Sequence, residues 1–462
     1  LKQSTKQANH QSSNVLTDIT PMKIPLILRK HSGWWLSLLL IVFTLAAGAQ
    51  TKSLRKSPPL TPGTPESAGM SSERVARIDV MLQEKIDKGV IPGAVALVAR
   101  NGRIVYHKAF GTSDTPSGKK MEANDIFRIA SQTKAITSTA VMMLWEEGKF
   151  SLDDPISKYI PEFKNPRVLQ SFRYSDTSYT TIPAVREITI RHLLTHTSGI
   201  GYGAIDGDER FRLIFGKAGI IDAFTTENEL IADNVKKLAR MPLHHQPGEK
   251  YTYGEGLDVL GYFIEIMSGI PFDQFLRTRL FDPLGMNDTW FYLPQEKAGR
   301  LVKVQVPDGN GSWKPMEAAA FFDPGYPVSG ARTFFSGGAG LSSTARDYAT
   351  FLQMYLNGGE LNGVRILSRT TVETILANQV GDLFQSPDRY YGLAFGVLTA
   401  AGEAKGGKGS EGLFDWGGYF NTQYFADPVE KTIGILMKQT QGTSGDDTEM
   451  KFRLLIGQAI DD

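Results

Sequence analysis

The chain has 462 residues, with 50 Lys+Arg against 49 Asp+Glu, a net charge of +1, 41% hydrophobic residues and no cysteine. The missing cysteines exclude a thiol nucleophile, a Cys-ligated zinc or iron–sulfur centre and a disulfide scaffold. Balanced charge gives no electrostatic case for nucleic acid, and the composition is too apolar for disorder and too charged for a multi-span membrane protein.

Residues 1–21 are mostly polar and carry no pattern. The first methionine, Met22, is followed by Lys23, Arg29 and Lys30 and then by a run, 34–49, without a charge, ending in Ala47-Gly48-Ala49. A basic stretch, an apolar stretch and a small-x-small site predict a secretory signal peptide over 22–49. The uncharged run is shorter than the ~20 residues a membrane-spanning helix needs. An uncleaved anchor is the competing reading, and a lipoprotein anchor is excluded for want of a cysteine. Export to the periplasm or the medium is therefore expected, with no stable membrane anchor after cleavage.

Residues 50–69, rich in Ser, Pro, Lys and Gly, read as a linker ahead of a domain at 70–462. Ser71 or Ser72 is placed to cap a helix carrying Val75, Ile78, Leu82 and Ile86, with Gly89 where a left-handed C-cap is wanted. Residues 93–100 and 103–110 are β-rich runs joined by Asn101-Gly102, the signature of a type I′ hairpin. A mostly buried helix is predicted from Ser131 to about Gly148, another over 258–267, and an amphipathic one over 345–356 behind a Thr344 cap. Strands follow at 391–399, 414–425 and 432–438, the first two separated by glycine-rich 402–412. The order predicts an α/β fold of the α+β type: a mixed, mainly antiparallel sheet formed by N- and C-terminal strands (about 92–110 and 391–438) and flanked by helices, plus an all-helical lobe at about 150–375.

No serine sits in a Gly-x-Ser-x-Gly elbow. Instead Ser131 opens a predicted helix with Lys134 three residues on, so the two side chains share a helix face. The helix dipole at Ser131 would stabilise an oxyanion, and desolvation among Ala, Met and Leu would favour a neutral, proton-accepting Lys134. The plain alternative is a serine cap followed by a surface lysine. Tyr253, between Pro247-Gly248 and a buried helix, is a second candidate, against the alternative of an aromatic packed under its loop. In Asp415-Trp416-Gly417-Gly418-Tyr419 the paired glycines mark either a bulge or a place where a ligand meets the backbone, and an N–H there would complete an oxyanion hole with that of Ser131.

Together these blocks resemble the serine β-lactamase-like superfamily, closest to the family VIII carboxylesterases and class C β-lactamases. The resemblance rests on Phe127-Arg128-Ile129-Ala130-Ser131-Gln132-Thr133-Lys134, on His192-Leu193-Leu194-Thr195-His196-Thr197-Ser198-Gly199, on Gln246-Pro247-Gly248 before the tyrosine motif, and on Gly337-Gly338-Ala339-Gly340-Leu341-Ser342-Ser343-Thr344. It implies a β-lactamase/penicillin-binding-protein-like fold, with Ser131 as nucleophile, Lys134 and Tyr253 as proton-transfer partners, and the backbone N–H groups of Ser131 and Tyr419 as the oxyanion hole. An acyl-enzyme would split hydrolysis into two easier steps.

Two departures bear on substrate. Where penicillin-recognising members have Lys-Thr-Gly, this chain has Trp416, Gly417 and Gly418, the family VIII pattern, which suits neutral, apolar esters. Where lactamases have Tyr-Ser-Asn, it has Tyr253-Gly254-Glu255, which removes an amide from the pocket and adds a carboxyl group. Trp416, Gly417, Gly418 and Glu255 are thus the expected substrate-binding residues.

His192 and His196 lack the Glu of a metalloprotease helix, and Asp308-Gly309-Asn310-Gly311 reads as a hairpin turn rather than a calcium loop. No metal or cofactor is expected. His244-His245 either line the cleft or are solvated. The expected activity is hydrolysis of small short-chain carboxylic esters. A β-lactamase or D-amino-acid peptidase, and a catalytically silent envelope-binding protein, are the alternatives; oligomeric state is left open.

Overall fold

The strand pattern at the two ends of the chain closes into one nine-stranded sheet. The computed structural model describes residues 52–319, 322–443 and 445–462. The predicted signal peptide and the segment before it lie outside them. Naming strands in chain order, β1 is Thr61–Pro62, β2 Gly93–Arg100 and β3 Arg103–Asp114. A short strand, β4 (Phe127–Arg128), leads into helix α1 (Thr133–Glu146). The late strands are β5 (Arg389–Tyr391), β6 (Gly396–Leu398), β7 (Phe414–Gly418), β8 (Thr422–Asp427) and β9 (Thr432–Met437). The sheet order is β1-β3-β2-β9-β8-β7-β6-β5, with Lys119–Lys120 added to β3. Every pairing is antiparallel except β1 with β3.

Strand β2 sits in the middle and is buried on both faces. Its period-two alternation sends Val95, Leu97 and Ala99 into the large core with α1, while Ala94, Ala96 and Val98 face a second core with the helix Arg77–Asp87 and the C-terminal helix Thr448–Ala459. Asn101 and Gly102 both have positive φ, 52° and 75°, as the predicted turn requires. Ser71 caps the first helix by accepting from the Arg74 N–H, and Thr344 caps helix α3 (Ala345–Leu356) by accepting from that of Asp347. Between α1 and α3, helix α2 (Gly256–Ser268) packs on α1 and carries a largely apolar buried face.

Several expectations are corrected. The stretch read as a linker is attached to the domain: Lys52 bridges to Val364, the Ser53 N–H donates to the Gly363 carbonyl, and Thr61–Pro62 extends the sheet. Its composition offers little apolar surface, yet backbone bonding to an open sheet edge needs none. The single strands predicted at 391–399 and 414–425 are each two strands. Ala394 at φ 70° breaks the first, and Asn421 at φ 67° turns the second into a hairpin. The middle lobe is not all-helical, because Arg167–Phe172 pairs with Tyr179–Pro183 and Gln305–Pro307 with Trp313–Pro315. The second ribbon turns through Asp308, whose carboxylate accepts from the Asn310 and Ser312 N–H groups.

Candidate active site

Ser131 lies in a single 3-10 turn, Ala130–Gln132, at the mouth of α1. Ala130 is held at φ 43°, a left-handed conformation that a Cβ disfavours. The Ile129 N–H is fixed to the Leu341 carbonyl, and β4 pairs with Ser342–Ser343, so the glycine-rich block clamps the approach to Ser131. Ser131 is half-buried, whereas Lys134 is fully buried.

Lys134 has three N–H donors, and the structure supplies three acceptors. They are Ser131 Oγ at 3.4 Å, Tyr202 OH at 2.8 Å and the Gly338 carbonyl at 2.8 Å. Gly338 must be glycine because a Cβ would strike the Asp258 carboxylate, and at Gly337 it would strike the Leu257 carbonyl. The block therefore threads between α1 and α2 and presents its carbonyl to the lysine. Asp258, fixed by Ser336 Oγ and the Gly338 N–H, shares this chamber, so its walls are less apolar than the Ala, Met and Leu residues of α1 suggest.

Tyr253 is half-buried beside Lys134, whose Nζ lies 4.7 Å from the centre of its ring. Its hydroxyl accepts a 3.0 Å hydrogen bond from the Trp416 indole N–H. The tyrosine hydroxyl bonded to Lys134 is instead that of Tyr202, which sequence reasoning missed. Its one signal is its setting, an aromatic flanked by Gly201 and Gly203 just past the Thr197-Ser198-Gly199 turn. Tyr253 is backed by His196, whose ring centre lies 4.4 Å away and whose Nδ1 accepts from the Gly254 N–H. Burial, and then the charge of Lys134, hold the His196 imidazole well below its ordinary range, so it is neutral.

The paired glycines form no bulge, because the register runs without a break from Phe414↔Ala426 to Gly418↔Thr422. Close approach explains Gly418 instead: a Cβ there would overlap the Ile129 carbonyl and Thr422 Oγ1. The end of β7 is thus laid directly along the segment that carries Ser131. Tyr419 follows at the hairpin turn, its carbonyl accepting from Gln441 Nε2 and its ring facing Phe224 at 6.2 Å. Tyr202, through Lys134, and Phe224, through Tyr419, accordingly border the site.

The remaining candidates separate. Glu255 does not face the cleft: it is 1% exposed and turned towards Asp222. A carboxyl at the first residue before α2 follows the helix inward, and that removes it from the expected substrate-binding set. His192 closes a capping box with Thr189. His244 stacks on Phe211 and meets Asp206 at 3.1 Å, and His245 Nε2 lies 2.9 Å from Thr252 Oγ1, so both pack loops.

A buried lysine bonded to a serine at a helix mouth, bordered by a sheet edge and a tyrosine, defines the serine β-lactamase and penicillin-binding-protein arrangement. The comparisons agree: the family profile described as Beta-lactamase matches residues 78–458, and the chain belongs to that family. It is 30% identical over 392 residues to esterase EstB of Burkholderia gladioli, covering 80% of this chain and 92% of EstB. It is also 30% identical over 383 residues to a lovastatin esterase of Penicillium rubens, covering 78% and 91%. Among solved structures, EstCE1, a hydrolase with promiscuous acyltransferase activity, superposes with a TM-score of 0.71 at 26% identity, covering 83% of this chain and 98% of that one. The protein is a hydrolase of the β-lactamase fold.

Proposed function

We propose that the protein is a carboxylesterase that cleaves small, neutral, short-chain esters through an acyl-enzyme on Ser131. The observation that carries this reading is Trp416. Its indole N–H donates to Tyr253 OH at 3.0 Å, at the position where penicillin-recognising relatives place a lysine. The nearby cations are already committed, since Arg389 and Arg453 both bind Asp415 and Lys438 binds Asp446. β7 itself carries no cation to receive a substrate carboxylate, whereas an indole wall suits an uncharged ester. The esterases among the relatives support the same choice.

In this reading Ser131 attacks the ester carbonyl and its proton passes to Tyr253, while the Lys134 ammonium, bonded to Ser131 Oγ, stabilises the negative charge that develops there. Tyr202 and the Gly338 carbonyl hold the lysine in place. The Trp416 N–H stabilises the proton-accepting form of Tyr253 by donating to its oxygen. The N–H groups of Ser131 and Tyr419 receive the developing oxyanion, a role that Gly418 permits by bringing β7 against Ile129. Tyr253 then returns the proton to the leaving alcohol, and water resolves the acyl-enzyme.

The test is hydrolysis of p-nitrophenyl acetate and butyrate by wild type and Ser131→Ala. Loss of at least about 10³-fold in kcat is expected for the variant, with turnover of nitrocefin and of a D-Ala-D-Ala peptide far below that of the esters. Equal ester rates in the two proteins would end the proposal, and faster nitrocefin turnover would move it to a lactamase. Export is proposed from the sequence alone, and fractionation with N-terminal sequencing of the mature chain checks it.

A further inference from the structure

Glu255 and Asp222 make an arrangement that the hydrolytic reading leaves unexplained. Neither oxygen of Glu255 meets a hydrogen-bond donor, although the side chain is buried. Asp222, 8% exposed, accepts from the Gly203 N–H through Oδ1 at 2.9 Å, while its Oδ2 is likewise without a donor. The two carboxyl groups are anchored to one short stretch of backbone, Glu255 through its own N–H on the Gly201 carbonyl and Asp222 through the Gly203 N–H, and Asp222 is the charge that Glu255 feels most. Two ionised carboxylates can only accept, and side by side out of water they repel. One proton converts the contact into a donor and an acceptor and satisfies both orphaned groups.

The proton belongs on Glu255. Asp222 already has a backbone N–H to stabilise its charge, and Glu255 has none. The groups facing Glu255 are Asp222 from the segment ahead of the helix Ile231–Leu238, Asp258 from α2, Lys134 from α1, and the phenol of Tyr202. Burial first, then Asp222 and Asp258, push the Glu255 carboxyl well above the carboxylate range, with Lys134 opposing.

We propose that Glu255 is a positioning residue whose carboxyl O–H donates to Asp222, clamping the Tyr253 loop to the segment that carries Tyr202. The frame is small. The Glu255 N–H donates to the Gly201 carbonyl and Asp222 accepts from Gly203, so the pair grips both flanks of Tyr202. Gly254 lies so close to the carbonyls of Ile200 and Gly201 that a Cβ there would overlap them. Tyr202 in turn holds Lys134. The catalytic consequence rests on the roles proposed above for Lys134 and Tyr253; the carboxyl pairing does not.

The experiment measures the thermal midpoint of the full chain from pH 5 to 9, with kcat and KM on p-nitrophenyl butyrate, for wild type, Glu255→Gln, Glu255→Ala and Asp222→Asn. A carboxyl that holds its proton more tightly when folded contributes fully below its unfolded value of ~4.3, and that contribution is lost as pH rises through its folded value. Glutamine keeps the donor and cannot ionise. Its midpoint relative to wild type should therefore rise with pH, by on the order of 2 °C between pH 5 and 8. Asp222→Asn, which removes the neighbouring charge, should flatten the wild-type slope. Glu255→Gln should keep kcat within about threefold, while Glu255→Ala loses about tenfold or more in kcat with a smaller change in KM. A deficit of Glu255→Gln that grows with pH would show an ionised Glu255 paired with Lys134 and overturn the proposal. So would equal kcat losses in the glutamine and alanine variants. If Glu255→Ala does not fold, or if no variant hydrolyses esters, the midpoints of the glutamine and asparagine variants still decide the pairing.

Discussion

At the residue scale, the consequential departure from the lactam-binding pattern is a single indole. Trp416 packs against Tyr391 and Tyr253 and spends its only N–H on the Tyr253 oxygen. Trp416→Phe keeps most of the packing and removes the donor. A fall in kcat of roughly 5- to 20-fold is expected, the worth of one hydrogen bond to a group that gains charge during reaction, with KM for a neutral ester changing less than about threefold. A large rise in KM at constant kcat would instead assign the indole N–H to substrate binding rather than to Tyr253. The pH dependence follows from the neighbouring His196. Because burial and Lys134 keep its imidazole neutral through the working range, kcat/KM should rise towards alkaline pH with no inflection near the ordinary histidine value of ~6.5. An inflection there, abolished in His196→Asn, would contradict the tyrosine–lysine assignment.

At the element scale, the site depends on how closely β7 can lie against the turn that carries Ser131. Gly417 and Gly418 look alike in the sequence but differ in space. A Cβ on Gly417 would meet only the Thr422 carbonyl, at 3.4 Å, whereas one on Gly418 would overlap Ile129 and Thr422. Gly418→Ala is therefore expected to push the strand outward and cost about 100-fold in kcat/KM, since small displacements at a reacting centre are expensive. Gly417→Ala should cost at least tenfold less, and similar losses in the two would argue against the close-approach account. This pair also shows what was legible beforehand. The glycines, the Ser-x-x-Lys spacing, the Asn-Gly hairpin and the Thr344 cap all announce themselves through local chemistry. The absence of a bulge, the buried orientation of Glu255 and the lysine's contact with Tyr202 depend on segments up to 68 residues apart and leave no local trace. The attachment of residues 52–69 to the domain escapes composition for a related reason, because pairing at a sheet edge uses backbone groups that composition does not report.

At the scale of the whole molecule, the two ends of the described domain are tied together by one buried arginine. Arg100, 6% exposed at the end of β2, donates to the carbonyls of Ala68 and Gly69 and to Asp462 through Nη1, and to Glu430 through Nε and Nη2. Around it the Ser71 N–H donates to the Ala459 carbonyl and the Asp461 N–H to that of Gly69, so the segment entering the domain and the segment leaving it share one joint. The sheet register places this joint away from the chemistry. Arg100 pairs with Thr432, and Thr432 with Asp427, at one end of the strands, while Gly418 pairs with Thr422 at the other. Five residue steps along β8, from Thr422 to Asp427, separate the two ends, roughly 17 Å at the rise of an extended strand. Arg100→Ala removes one shared donor from three carbonyls and two partly exposed carboxylates, and although Gly69 keeps the Asp461 N–H and Glu430 the Thr432 hydroxyl, about 1–3 kcal/mol of stability is expected to be lost in urea denaturation. The ester kcat of the fraction that remains folded, counted by covalent titration of Ser131 with a fluorophosphonate, should stay within about twofold of wild type. A variant as stable as wild type would mean that the chain ends are held by the flanking helices alone. A variant that labels normally but turns over slowly would mean that strain at the joint travels the length of the sheet to Ser131.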